Sequence, residues 1–368
     1  MKKLLFGFCI FLLAVNPLYR NCFYGLGFSQ YKRHTLWKQG ESPFFNPWQY
    51  RVLSPLLVEA GYQIYTNTIG AVLPVEDFMP SGGSIITQLN PYYQQKIKEA
   101  GGVEVVINSS VRRYLIIFSL FRILQHLLIF YLFWRYAKRF TPDKYWLAAS
   151  LVFISLLMGN AVRDSDLSFN TYTDIIIYLA AAILVLEKWQ PAWLVLLAAI
   201  GSMNRETAIF VPAIYFVAQC DWQQKKLPEF AVFKWTTLAY VAFGAVFVGI
   251  RTYYGAYPAY LSDNQVAVAG LPLLIDNLTS FFSVYTYGEA TGSYAVPLIA
   301  SLYCLRRSTV LLQNIFVLIV PAWFLMHFLY SFAYETRTFL VPILLIFMPI
   351  ILNEIKQKTM DSKADLVF

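Results

Sequence analysis

The chain has 368 residues, of which 58% are hydrophobic, 18% aromatic and only 14% charged, with a mean hydropathy of +0.51; a water-soluble fold of this make-up would have more apolar surface than it could bury. The apolar runs are long and unbroken rather than short and alternating, which excludes a membrane β-barrel. The formal charge of +8 does not indicate a nucleic-acid binder, because the basic residues stand in short clusters between apolar runs, at Lys2-Lys3, Lys138-Arg139, Lys225-Lys226, Arg306-Arg307 and Lys356 to Lys358, where they orient helices.

The expected fold is an all-α polytopic membrane protein of about 10 transmembrane helices, a single integral-membrane domain over residues 1–368 with both termini cytoplasmic. Lys2-Lys3 followed by an apolar run resembles a signal peptide, but Asn16-Pro17-Leu18 offers no small-residue cleavage site, so residues 4–18 are read as a retained first helix. It leads to a long external loop, 19–113. Within that loop, 47–72 has the apolar spacing of an interfacial amphipathic helix, with Trp48, Tyr50, Tyr62 and Tyr65 suited to the headgroup level. Residues 74–102 are punctuated by Gly and Pro and read as loop, with one short helix near 91–100.

Spans follow at 114–136 and 145–159, then an acidic external loop at 160–170 and a return span at 171–187. Segments 191–203 and 207–220 read as two half-length passes joined by Asn204-Arg205-Glu206. A single kinked helix there would put Lys225-Lys226, Arg306-Arg307 and the Lys-rich tail outside, against the positive-inside rule. Helices too short to span alone are tolerated where protein or water surrounds their ends. Further spans are expected at 233–251, 284–305, 310–333 and 339–353, before a cytoplasmic tail at 354–368.

Ionisable residues at membrane depth are costly and mark a working site by default. Arg205-Glu206 interrupts an otherwise apolar stretch, and Glu335 and Arg337 precede another. With the topology above, Glu41, Arg51, Asp77, Asp164, Asp166, Arg205, Glu206, Arg251, Glu335 and Arg337 all lie at or beyond outer helix ends. Arginine presents a permanently charged fork that matches phosphate, and carboxylates serve as general bases or hold hard divalent cations, so the set suits a phosphate-bearing ligand. Asp164-Ser165-Asp166 is a DxD that can bind Mg2+ or Mn2+ bridging phosphates; the same residues also suit a solvated turn. Arg205 with Glu206, and Glu335 with Arg337, also read as self-neutralising pairs. Arg122 and His126, at i and i+4, read as glue between helices, His327 as a core histidine and His34 as a loop residue. Only Cys22 of the four cysteines falls outside, so no external disulfide is expected, and no Cys/His metal spacing occurs. Asn108-Ser109-Ser110 and Asn277-Leu278-Thr279 are outward-facing glycosylation sequons, relevant in a eukaryotic host.

The succession of a first helix, a long first external loop with an interfacial helix, an acidic second external loop and charged outer helix ends resembles the GT-C superfamily of polytopic glycosyltransferases. Trp48-Gln49-Tyr50-Arg51-Val52-Leu53-Ser54-Pro55-Leu56, Asn204-Arg205-Glu206-Thr207 and Glu335-Thr336-Arg337 are similar to segments of bacterial multi-pass proteins with that architecture. The resemblance implies transfer of a sugar from a polyprenyl-phosphate lipid to an acceptor at the external face of a bacterial plasma membrane, in cell-envelope polysaccharide biosynthesis. Asp164 and Asp166 would hold the metal, Glu41 or Asp77 would deprotonate the acceptor, and Arg51, Arg205, Arg337 and Arg251 would bind the donor phosphate. The family places a catalytic acid soon after the first helix, whereas residues 19–40 contain none and Glu41 is the first. A polysaccharide polymerase or ligase acting on lipid-linked glycans is an alternative. An anion or lipid transporter is another, but it would need charges continuing to the inner face, and the spans at 145–159, 171–187, 310–333 and 339–353 are nearly uncharged below their outer ends.

Overall fold

The structure, a computed structural model, describes residues 2–41, 50–78, 108–162, 167–220, 228–255 and 270–365. The described residues are helical with no strand. Among the described residues, seven helices are long and apolar enough to cross a membrane: Leu4–Phe23, Ser109–Ala137, Lys144–Ala161, Ser168–Leu186, Phe230–Tyr254, Val310–Tyr330 and Thr336–Thr359. They answer to seven of the ten expected passes. The other three expected passes fall on shorter helices, Ala192–Asn204, Glu206–Ala218 and the broken segment 284–305.

Helix α1 (Lys2–Phe23) runs past the expected end at residue 18. Gly25, at φ 65, supplies the left-handed turn that separates it from α2 (Leu26–Lys38). His34 therefore lies buried on a helix rather than on a loop, because α2 packs against α4 (Ser109–Ala137). Between them in sequence, α3 (Leu53–Asn67) forms most of the expected interfacial helix; Trp48 and the short helix expected near 91–100 lie outside the described residues. Helix α4 begins where the Asn108 side chain accepts from Val111 N at 3.0 Å. α5 (Lys144–Ala161) begins likewise, Asp143 accepting from Tyr145 N at 2.7 Å.

The first helices are tied by polar contacts within apolar packing. Asn16 Nδ2 donates to Ser155 O at 3.0 Å, Arg20 to Asn160 Oδ1 at 2.6 Å, and His126 Nδ1 to Ala14 O at 2.9 Å. Arg122 is fully buried and donates to Ser168 Oγ (3.2 Å) and Gln30 Oε1 (3.3 Å). Arg122 and His126 thus join helices, as their spacing predicts.

α6 (Ser168–Leu186) is followed by α7 (Ala192–Asn204), a tight turn at Glu206–Ile209 and α8 (Phe210–Ala218). Asn204, at the tip, donates to Asn170 O (2.9 Å) near the start of α6. At the other extreme, the Val217 and Cys220 carbonyls accept from Asn314 Nδ2, both at 2.9 Å, near the start of α13 (Val310–Tyr330). α7 and α8 also touch each other, so the segment is a helical hairpin and not one kinked rod. Gly201 makes the turn possible: a Cβ there would meet Ala208 Cβ at 2.7 Å.

α9 (Phe230–Tyr254) packs along the hairpin, and α10 (Leu271–Ser280) packs on α13. The 284–305 segment is α11 (Val284–Ala290), a π-turn at Thr291–Ala295 and α12 (Val296–Cys304). The last span leads from Thr336–Phe339 through a second π-turn, Ile343–Phe347, into α14 (Met348–Asp365). Tyr136 OH donates to Leu345 O at 2.8 Å, satisfying a carbonyl within that π-turn. Asn277 is 2% exposed; its amide donates to Phe328 O and Ser331 O, and its oxygen accepts from Ala333 N. The asparagine of that sequon is thus a structural clamp.

Candidate functional site

Ser168, the first residue of α6, meets Arg122, which lies well inside α4. The part of α4 before Arg122, about 20 Å at 1.5 Å per residue, rises beyond that level and carries α2 and α3 against it. Beneath this layer the α7–α8 tip, the start of α6, the C-terminal end of α9 and the turn after α13 come together.

The innermost carboxylate there is Asp174 on α6, whose side chain is 1% exposed. It accepts from Asn204 Nδ2 at 2.6 Å, from Arg205 at 3.2 Å and from Thr207 Oγ1 at 3.2 Å. Arg205, 4% exposed, also donates to Thr171 Oγ1 at 3.3 Å. The tip sequence Asn204-Arg205-Glu206-Thr207 is thus pinned to α6 by three of its four side chains. Glu206 is the fourth and faces elsewhere: Arg51 lies 3.1 Å from its Oε2 and Arg251 3.5 Å from its Oε1. Arg205 and Glu206 are therefore not the self-neutralising pair that adjacency suggests, since backbone direction at the turn sends them to different partners. Glu335 and Arg337 do pair, at 2.6 Å, and Ser331 Oγ donates to Glu335 at 2.8 Å.

The arginines influence one another. Burial draws the Arg51 guanidinium down to about 10, against the pull of Glu206 and with the push of Arg205 and, more weakly, Arg337. Burial likewise lowers Arg33 on α2 to about 9, with Arg122, Arg337 and Arg51 adding their like charge. Both stay cationic at neutral pH. Arg251 stacks over the Phe247 and Tyr50 rings, at 3.4 and 4.5 Å to their centroids, and Tyr50 OH donates to Gly255 O at 3.0 Å. These contacts join the segment before α3 to the end of α9.

Of the residues singled out from sequence, Arg51, Arg205, Glu206 and Arg251 meet here, and Arg337, paired with Glu335, stands within electrostatic reach of Arg51. Glu41 and Asp77 are exposed and share no hydrogen bond or ion pair with these arginines among the described residues. Asp164 and Asp166 lie outside the described residues, and no group of three or more His, Cys, Asp or Glu able to hold a metal occurs among the described ones. Two participants were missed. Asp174 is a lone carboxylate in an apolar span, the same signal that marked Arg205. Arg33 gave no signal, because α2 reads as a polar stretch until its packing is known.

A second polar network lies in the outer layer. His34 Nε2 and Glu59 Oε2 are 3.1 Å apart, Tyr114 OH donates to Glu59 at 2.8 Å, and Lys38 and Gln63 donate to its other oxygen at 3.2 and 3.1 Å. Burial pushes the Glu59 carboxyl up, but the hydrogen bonds from His34, Tyr114, Gln63 and Lys38 outweigh it and hold the pKa down at about 2. Burial pulls His34 below the usual histidine range, with Glu59 opposing.

No family model matches the chain, and neither a curated protein nor a solved structure is similar to it.

Proposed function

We propose that this chain is a ten-pass membrane transferase of GT-C-like design that moves a sugar from a polyprenyl-phosphate lipid to an acceptor at the external face of the plasma membrane. One observation carries the reading: Arg51, Arg205, Arg251 and Arg337, from four segments distant in sequence, converge with Asp174, Glu206 and Glu335 at one end of an apolar bundle. In a transferase, negative charge develops on the leaving phosphate, and fixed guanidinium groups aimed at it in a poorly hydrated site supply the largest catalytic term. Asp174 holds Arg205 in place for that purpose. The chemistry also needs a base for the acceptor hydroxyl. Glu335, 22% exposed beside Arg337, is better placed for that than Glu41 or Asp77, and Asp164 and Asp166 would hold Mg2+ or Mn2+.

The test is transfer from a polyprenyl-phosphate sugar by the full chain in nanodiscs. Arg51→Ala, Arg205→Ala and Arg337→Ala should each lower kcat by about 10²- to 10³-fold, with the Lys variants intermediate because Lys lacks the planar fork. Wild-type rates in all three would remove the proposal.

A further inference from the structure

Glu206 is bound in a way that Asp174 and Glu335 are not. Each of its oxygens faces a guanidinium from a different part of the chain, Arg51 at 3.1 Å and Arg251 at 3.5 Å. Neither pair is the bidentate fork that makes a strong structural ion pair. The side chain is 24% exposed, against 1% for Asp174, so it can turn into water without stranding a buried charge. Two cations held apart around one small oxyanion are also the arrangement that a phosphate group requires.

We propose that Glu206 is a built-in stand-in for phosphate: it occupies the place between Arg51 and Arg251 when no ligand is bound and is displaced by the phosphate group that enters. The inference rests on the phosphate-binding part of the function proposed above and adds to it that binding is opposed by a carboxylate of the protein itself. The occupied site keeps both arginines extended toward each other and prevents their mutual repulsion from opening it. Glu206 turns outward as the ligand arrives, and its charge then sits beside the phosphate and weakens it. Removing that charge should therefore tighten phosphate binding, the reverse of what loss of a ligand-contacting residue does.

The experiment is a titration of the full chain in nanodiscs with inorganic phosphate at pH 7, read by calorimetry, for wild type, Glu206→Gln and Glu206→Gln with Arg251→Ala. Two like unit charges a few ångströms apart at a protein surface repel strongly enough that Glu206→Gln should lower Kd by between about tenfold and a few hundredfold. Adding Arg251→Ala should reverse most of that gain. Equal or weaker binding by Glu206→Gln, or no phosphate binding by either form, overturns the proposal. If Glu206→Gln does not give a monodisperse protein, Glu206→Asp, which withdraws the carboxylate by one methylene, should tighten binding by a smaller factor, and unchanged or weaker binding overturns the proposal equally. Repeating the titration with polyprenyl phosphate in the nanodisc separates the two sources of the group. Competition assigns the place to a lipid headgroup, and its absence to free phosphate; both keep the stand-in. If phosphate binding tightens but no form transfers sugar, the transferase reading fails alone. If sugar is transferred and binding does not tighten, the stand-in fails alone.

Discussion

Replacing Asp174 by Ala should be among the most damaging single changes outside the apolar core. The carboxylate is completely enclosed and accepts from Asn204, Arg205 and Thr207. Its loss leaves the Arg205 guanidinium buried with the Thr171 hydroxyl as its remaining hydrogen-bond partner among the described residues. Breaking a buried ion pair from one side costs about 3–5 kcal/mol, because the surviving charge stays desolvated. Asp174→Asn keeps the volume and one acceptor and should cost about 1.5–3 kcal/mol, the range for hydrogen bonds to charged groups. The cost is not the sum of the three contacts, since they share one carboxylate. Equilibrium unfolding in mixed micelles measures both variants, and Asp174→Ala/Arg205→Ala completes the cycle. The double variant should recover about 1–3 kcal/mol relative to the sum of the singles. Stability within about 0.5 kcal/mol of wild type for Asp174→Ala, or additivity within that margin, would refute the account of the hairpin tip.

Gly201→Ala should cost about 1–3 kcal/mol by overpacking, because the new Cβ meets Ala208 Cβ at 2.7 Å, with the Ile177 side chain next at 3.6 Å; thermal unfolding checks it. Asn277→Ala removes three hydrogen bonds at the end of α13 and should destabilise by about 2–4 kcal/mol, and expression in a eukaryotic host should give no glycan on Asn277 by gel shift. The outer layer should loosen in acid in two stages. His34 is held below its unfolded pKa of about 6.5, so the folded state binds fewer protons and stability falls as pH drops below that value. Glu59, held at about 2, contributes stability that is present above about pH 4.3 and lost as pH falls through 2. Protease protection of α2 and α3 followed from pH 8 to pH 2 should lose its first stage in His34→Gln and its second in Glu59→Gln; an unchanged profile in either variant would contradict the assignment.

The long apolar helices were legible because an apolar run of about 20 residues is long enough to span a bilayer, and the charged residues inside or beside them pointed to Arg205, Glu206, Glu335 and Arg337. The hairpin was legible from charge balance at its flanks. What sequence could not give was pairing. Adjacent Arg205 and Glu206 read as partners, yet the turn at Glu206–Ile209 sends one to Asp174 and the other to Arg51 and Arg251. Helix α2 was opaque for a related reason. Its polar residues are buried against α4, so neither an apolar stripe nor an exposed face marks it as a packed helix.

The span Thr336–Thr359 is the most enclosed of the described spans, with 89% of its most apolar window buried against 78% for Ser168–Leu186. It is also the latest of the described spans in chain order. The earlier spans therefore lack the partner that the Thr336–Thr359 span buries among them until it is made, and the Tyr136 hydroxyl has no Leu345 carbonyl to meet before then. Assembly of the bundle is in this sense completed from the middle, by a helix that lipid scarcely touches.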